Sequence, residues 1–337
     1  MSPRAPAPLD ARGREAWVAA LADLLETETD ALRALRLLEA LGPSSAGMAR
    51  RVAGAVQSGR HLAAALLESG CLFAAEAEAL RGLESADVRA AGLRLIVSRR
   101  RRRWARLRAA AGAALNPLAL TLVTLLGLQA PLLVLDVVSL GSAMRPVTVF
   151  IGGLVALGVV IGLAVTRGSP GLWARIAAVP GLRGWFERQA EVEVAHALAE
   201  LAHDDAPTAA AWTTAAAFVP LPRHRASLRT LAEHAQGGRS TPPVEPWHPA
   251  LGLTVVGGAA GGRLRTRCRA LAETGDAALT GRLVLVVRLL AYTTLIVASS
   301  MAVASLLDSD IKLPGMPDIN LTNPYGDLEK MLEQELK

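Results

Sequence analysis

The stretch AAAGAALNPLALTLVTLLGLQAPLLVL, from Ala109 to Leu135, contains no charged residue. A helix crossing a bilayer needs about 20 mostly apolar residues, so this run is long enough to span. Pro146 to Thr166 is a second uncharged run of sufficient length. Between them lies Asp136 to Arg145, with Ser139, Gly141 and Ser142, and with Pro146 just beyond. That composition suits a tight polar turn. The two runs read as a helical hairpin that enters and leaves the same membrane. The competing reading, two buried helices of a soluble core, would have to place both runs around one short loop. Leu289 to Leu307 is a third uncharged run, preceded by Arg282 and Arg288.

The flanks set the orientation. Arg94, Arg99, Arg100, Arg101, Arg102, Arg103, Arg106 and Arg108 precede the first run, and Arg167, Arg175 and Arg183 follow the second. The turn between carries only Arg145 against Asp136. Cytoplasmic flanks are enriched in Lys and Arg, so both hairpin ends belong inside and the turn outside. Three spans with an inside start end outside. The segment Asp308 to Lys337 agrees, with seven acidic residues against three lysines. Arginines beside a span meet anionic headgroups at about 1 kcal/mol each, and moving one to the bilayer centre costs roughly 3 kcal/mol. Arg99 to Arg103 and Arg167 are therefore expected to be membrane-flanking residues in contact with lipid. Two other readings of the run are an arm on an acidic partner protein and a nucleic-acid contact.

Composition fits this picture. Of 337 residues, 52% are hydrophobic and only 4% aromatic, and the formal net charge is +6. Mean hydropathy is +0.33 and the sequence pI about 10.1. Much of that charge is arginine beside apolar runs, so no nucleic-acid partner is required. The two cysteines, Cys71 and Cys268, fall in segments read as cytoplasmic, where disulfides are rare. The Pro-rich start has no apolar core, so no signal peptide is expected and the internal spans would direct insertion.

The expected order is a disordered tail over 1–16, a first cytoplasmic helical domain over 17–108, and membrane helices over 109–138 and 146–166. A linker over 167–184, a second cytoplasmic helical domain over 185–282, a third membrane helix over 283–307 and an acidic periplasmic tail over 308–337 complete it. Trp17, Leu21, Leu24, Leu25, Leu32, Leu35 and Leu38 recur at three- and four-residue steps, a helical period. Gly42-Pro43-Ser44-Ser45, Ser58-Gly59 and Ser69-Gly70 punctuate the first domain into short helices. In the second, the Pro-rich stretch Thr241 to Pro249 breaks the helical pattern. Its PxxP spacing fits either an extended loop or a segment that docks in an aromatic groove. The fold class is all-α: a polytopic membrane protein with three transmembrane helices and two homologous cytoplasmic helical bundles.

Catalytic chemistry is hard to place. Gly257 to Leu264 resembles a phosphate loop, but Arg263 and Leu264 stand where a Walker sequence needs Lys and a hydroxyl. His196 and His203, seven apart beside Asp204 and Asp205, are metal-ligand types that also suit a solvated helix face. Asp136 reads either as an intramembrane carboxylate or as a headgroup-level residue. There is no GxSxG, HExxH or CxxC. No enzyme activity, cofactor, metal or catalytic residue is expected.

An internal repeat remains. Trp17 to Leu25 followed by Ala31 to Leu35 opens the first helical region, and Phe186 to His203 followed by Ala206 to Trp212 opens the second. Each later shows a glycine stop, at Gly59 and at Gly237-Gly238. Each then has a small-residue motif, Gly82 to Val88 and Gly258 to Leu264, and a basic helix entering an apolar run. In this order and duplication the chain resembles the type II secretion system protein F family, the inner-membrane platform shared with type IV pilus machines. The likeness covers roughly Trp17 to Leu307. It rests on Trp17, Leu21 to Leu25, Gly59, Leu62, Phe73, Gly82 and Glu84, with Gly258, Gly262 and Leu264 in the second copy and Asn116-Pro117 at the first span. Leu83 and Ala259 stand where the family has Glu, with Glu84 adjacent, and Asp204-Asp205-Ala206 replaces an Ala-Gly-Val corner, so the chain is a divergent member.

The resemblance implies a platform in the bacterial inner membrane that couples a cytoplasmic assembly ATPase to pilin-like subunits. It also implies other platform components and a homo-oligomer as partners, along with membrane lipids. A membrane-tethered adaptor or sensor and an oligomeric transporter are the alternatives.

Overall fold

The computed structural model describes residues 10–28, 30–83, 86–134, 183–203, 206–239, 243 and 245–307, together with 141, 145, 147–149 and 152–153. Eleven helices are named here: α1 (Ala11–Thr27), α2 (Ala31–Ala40), α3 (Pro43–Gln57), α4 (Leu62–Glu68), α5 (Ala74–Arg81) and α6 (Ala86–Val134), then α7 (Arg183–Leu201), α8 (Ala209–Phe218), α9 (Pro222–Gln236), α10 (Pro249–Ala260) and α11 (Leu264–Leu307). Among the described residues there is no strand, only an isolated bridge between His203 and Ala206. The protein is all-helical.

Local chemistry sets the helix ends. Asp10 caps α1 by accepting the Gly13 N–H at 2.6 Å, which starts the helix at Ala11. Residues 11–16, expected as part of a disordered tail, are therefore helical. Asp30 and Thr208 cap α2 and α8 in the same way. Proline opens both α3 and α9, at Pro43 and Pro222, where its missing N–H costs nothing. Gly59 and Gly238 follow these two helices at φ +87° and +72°. Each lets the next residue's N–H reach back to a carbonyl five earlier, Arg60 to Ala55 and Arg239 to His234. His61 and His248 then cap α4 and α10, each ring Nδ1 accepting an N–H two residues on, at 3.2 Å.

The chain divides into two compact units, one within 1–105 and 169–279, the other within 106–168 and 280–337. The boundaries fall inside α6 and α11, so each of these helices contributes to both units. The first unit holds one buried core. Trp17, Leu21, Leu35 and Leu38 enter it as their spacing predicts, and so do Leu198, Trp212 and Leu228 from the second half of the sequence. The two helical regions expected as separate domains thus share a core. One seam between them lies at α5 and α8, where buried Thr214 donates to the Ala79 carbonyl at 3.5 Å.

The second unit has a different surface. Leu125 and Val147 are buried, with Leu122 and Ala298 packed against them. Around them the helices present apolar side chains outward, including Leu115, Val123, Leu290 and Ile296, each more than 60% exposed. Thr293, Thr294 and Ser300 donate to carbonyls four residues back at 2.8–2.9 Å, which satisfies each hydroxyl within its own helix, as an apolar medium requires. By length and composition α6 and α11 are able to cross a membrane. Of the hairpin's second expected run, 147–149 and 152–153 are helical. The rest of 146–166 lies outside the described residues, as do Glu84, Asp136, Arg167, Asp204, Asp205 and the tail over 308–337.

Candidate functional site

Five consecutive arginines on a helix point in all directions, because successive side chains are turned by about 100°. Such a run can pair completely only if other helices surround it. Arg99 Nε donates to Glu193 Oε1 on α7 at 2.8 Å. Arg100 Nε donates to Glu76 Oε1 on α5 at 2.9 Å, and its Nη2 to the Cys71 carbonyl at 2.7 Å. Arg101 Nε reaches Glu15 Oε1 on α1 at 3.0 Å. Arg102 Nε lies 3.4 Å from Asp276 Oδ2 on α11, and its Nη2 lies 4.0 Å from Glu193 Oε2. Segment α6 is a hub, with an acid from a different helix answering each of these four arginines.

Burial separates these contacts by strength. The Arg99 and Glu193 side chains are 7% and 6% exposed. Arg100 and Glu76 are nearly as enclosed, whereas Arg101 is largely in solvent. Surface pairs of the last kind contribute about 0–1 kcal/mol. In a buried pair the charges are costly to separate, because a lone charge cannot rehydrate. Burial tends to raise the Glu193 pKa, but Arg99, Arg103 and Arg102 outweigh it and hold the carboxyl below its ordinary 4.5. The Arg99 guanidinium also lies 4.3 Å from the Phe218 ring centre, a cation–π distance. Glu76 accepts the Phe73 N–H at 2.9 Å as well, which fixes the start of α5.

The network closes on α11. His196 Nε2 lies 2.9 Å from Asp276 Oδ2. Glu193 and His196 are three residues apart on α7, so one face of that helix offers a carboxylate to α6 and an imidazole to α11. Beside them α7 and α11 approach closely. A Cβ added at Gly275 would come within 2.3 Å of Val192 Cγ2. Glu193 Oε2 is buried with no hydrogen-bond partner among the described residues. The cluster holds no nucleophile positioned by a base. It is a polar joint between three helices beside the apolar core.

This placement corrects one expectation. Arg99 and Arg100 are engaged inside the helical unit, so a sum over five headgroup-facing arginines does not apply to them. The signal that could have located their partners was Glu76 and Glu193, acids within helical stretches otherwise rich in Ala, Val and Leu.

The repeat-motif residues occupy structural positions. Gly59 closes α3, Leu62 is buried at the start of α4, and Phe73, 67% exposed, precedes α5. Gly82 follows α5. Gly258 is buried near the end of α10, Gly262 turns the chain at φ +59°, and buried Leu264 begins α11. The Arg263 N–H returns to the Gly258 carbonyl at 2.9 Å. The glycine stretch that resembled a phosphate loop is therefore a helix end and its closing turn. His196 meets Asp276, while His203 lies in the connection after α7. Among the described residues no group of three or more metal-ligating side chains comes together. From the Pro-rich break, Trp247 is buried and donates to Ser227 Oγ at 3.0 Å, so its indole packs on α9.

Comparison with protein-family models and with curated proteins returns no match.

Proposed function

We propose that this chain is an inner-membrane platform protein of a type II secretion or type IV pilus-like machine. In this reading it spans the bacterial inner membrane three times, with the N-terminus cytoplasmic and the acidic tail periplasmic. Its two helical regions are copies of one unit, and it couples a cytoplasmic assembly ATPase to the assembly of pilin-like subunits, itself acting as a non-enzymatic homo-oligomer beside other platform components. The observation that supports this best is that α6 and α11 each run unbroken from the buried helical core into a long apolar stretch. The matched endings of α3 and α9, and the matched histidine caps of α4 and α10, favour duplication.

The test is purification of the tagged full chain from its native membrane with mild crosslinking. An assembly ATPase and a pilin-like subunit are the expected partners. Recovery of a signalling partner alone would establish the adaptor reading instead. Solute flux in proteoliposomes, with neither partner recovered, would establish a transporter.

A further inference from the structure

We infer that Arg102 is a two-position latch, holding α11 to α6 through Asp276 in one state and releasing it by turning wholly onto Glu193 in the other. Arg102 stands between two carboxylates, 3.4 Å from Asp276 and 4.0 Å from Glu193. Each carboxylate already has a second partner. Asp276 has His196 at 2.9 Å, and Glu193 has Arg99 at 2.8 Å. Arg102 can therefore change sides without leaving any of the four groups alone. A further neighbour, Ser98 Oγ at 3.0 Å, is on α6 itself and moves with it.

Three features favour two discrete arrangements over a fixed strut. Glu193 retains a buried oxygen, Oε2, with no hydrogen bond. That oxygen is the one nearest Arg102, so the second position has an acceptor waiting. Arg103 adds a further positive charge near Glu193, which keeps the carboxylate ionised in either position. Gly275 seats α11 directly on Val192 of α7, so α11 has a pivot beside the contact that opens. An interface with two alternative pairings switches between discrete states instead of deforming continuously. The latch stands on contacts within the helical unit and holds whether or not the chain serves a secretion machine.

The test uses the full chain in detergent or nanodiscs, spin-labelled at cysteines replacing exposed Trp104 on α6 and exposed Ala277 on α11. Both native cysteines are buried and escape labelling. The Asp276→Asn variant keeps a partner for His196 but removes the charge that draws Arg102. It is expected to add a second peak to the α6–α11 distance distribution. Amide exchange over 270–279 should become faster, on the order of tenfold. Combining Arg102→Asp with Asp276→Arg is expected to restore the single distance. An unchanged distribution and exchange rate in folded Asp276→Asn would overturn the latch. If that variant fails to fold, Arg102→Lys, which keeps the charge but shortens the reach, is read in the same way. Failure of both to fold would also overturn it, because a latch must open without unfolding the unit.

Discussion

Arg99 and Glu193, 94 positions apart in sequence, form a 2.8 Å ion pair with both side chains almost wholly removed from water. The pair joins the first half of the chain to the second in a place where apolar packing would have served. Its behaviour follows from the asymmetry between losing one charge and losing both.

Glu193→Gln leaves Arg99 buried without a counter-charge and is expected to destabilise the helical unit by about 3–5 kcal/mol. The double variant Arg99→Met with Glu193→Leu should recover most of that loss, since neither charge then needs hydration. Glu15→Gln, at the exposed Arg101 pair, should cost less than about 1 kcal/mol. Chemical unfolding followed by circular dichroism at the helical band ranks the three. A single Glu193→Gln as mild as Glu15→Gln would show that the buried pair contributes nothing.

Two groups give the unit separate acid sensitivities. Burial pushes the His224 pKa below its ordinary 6.5, against the opposing pull of Glu187 and Glu191. Its ring packs edge-on to Trp247 at 4.6 Å. Above pH 6.5 this depressed base costs nothing. As pH falls below 6.5 the unfolded chain binds a proton that the folded protein resists, and stability declines. Glu193 is also depressed, so its contribution is complete above about 4.5 and is lost as pH falls through its lower folded value. His224→Phe should flatten stability just below pH 6.5. Glu193→Gln should flatten it only below about pH 4.5. Unfolding midpoints across pH 3.5–7.5 separate them, and identical profiles for wild type and both variants would refute the assignment.

Gly258 and Gly275 report on two close approaches of different hardness. A Cβ at Gly258 would lie 2.8 Å from Leu264 Cα, a backbone atom in the turn that starts α11. At Gly275 the obstacle is the Val192 side chain. Gly258→Ala should therefore destabilise by about 1–3 kcal/mol, as overpacking does, with no second-site remedy at Leu264. Gly275→Ala should be rescued by Val192→Ala. Thermal unfolding of the four variants decides. Rescue of Gly258→Ala by Leu264→Ala would show that the clash is with the leucine side chain alone.

The sequence carried the helical class and the apolar runs clearly, because both depend on local composition and period. Trp17, Leu21, Leu35 and Leu38 were placed by spacing alone, and all are buried. The start of α1 was hidden because Asp10 sits within a Pro-rich context that masks its role as a cap. The shared core was hidden because the boundary between the halves is set by pairing of distant helices, such as α5 with α8, and period says nothing about which helices meet. The burial of Arg99 and Arg100 was hidden for the same reason. A run of like charge beside an apolar stretch reads as a flank until its partners, 24 and 94 positions away, are brought to it by the fold.

The orientation proposed for the chain is open to direct chemistry, and the two native cysteines make the experiment clean. Cys71 and Cys268 are 1% and 0% exposed. Burial also raises the Cys71 pKa, which keeps the reactive thiolate scarce at neutral pH. Background labelling of the unmodified chain should therefore be small. The proposed orientation, with both helical regions inside, rests on arginines concentrated before the first apolar run and after the second and on acids beyond the third. A membrane-impermeant maleimide added to intact cells, or to spheroplasts where an outer membrane blocks it, should label a cysteine placed at Ser142 or Asn320. It should miss one at Ser45 or Ser240 until the membrane is opened. Labelling at Ser45 without lysis would reverse the orientation. Equal protection at Ser142 and Ser45 would remove the hairpin and leave α6 and the following segment on one side of the bilayer.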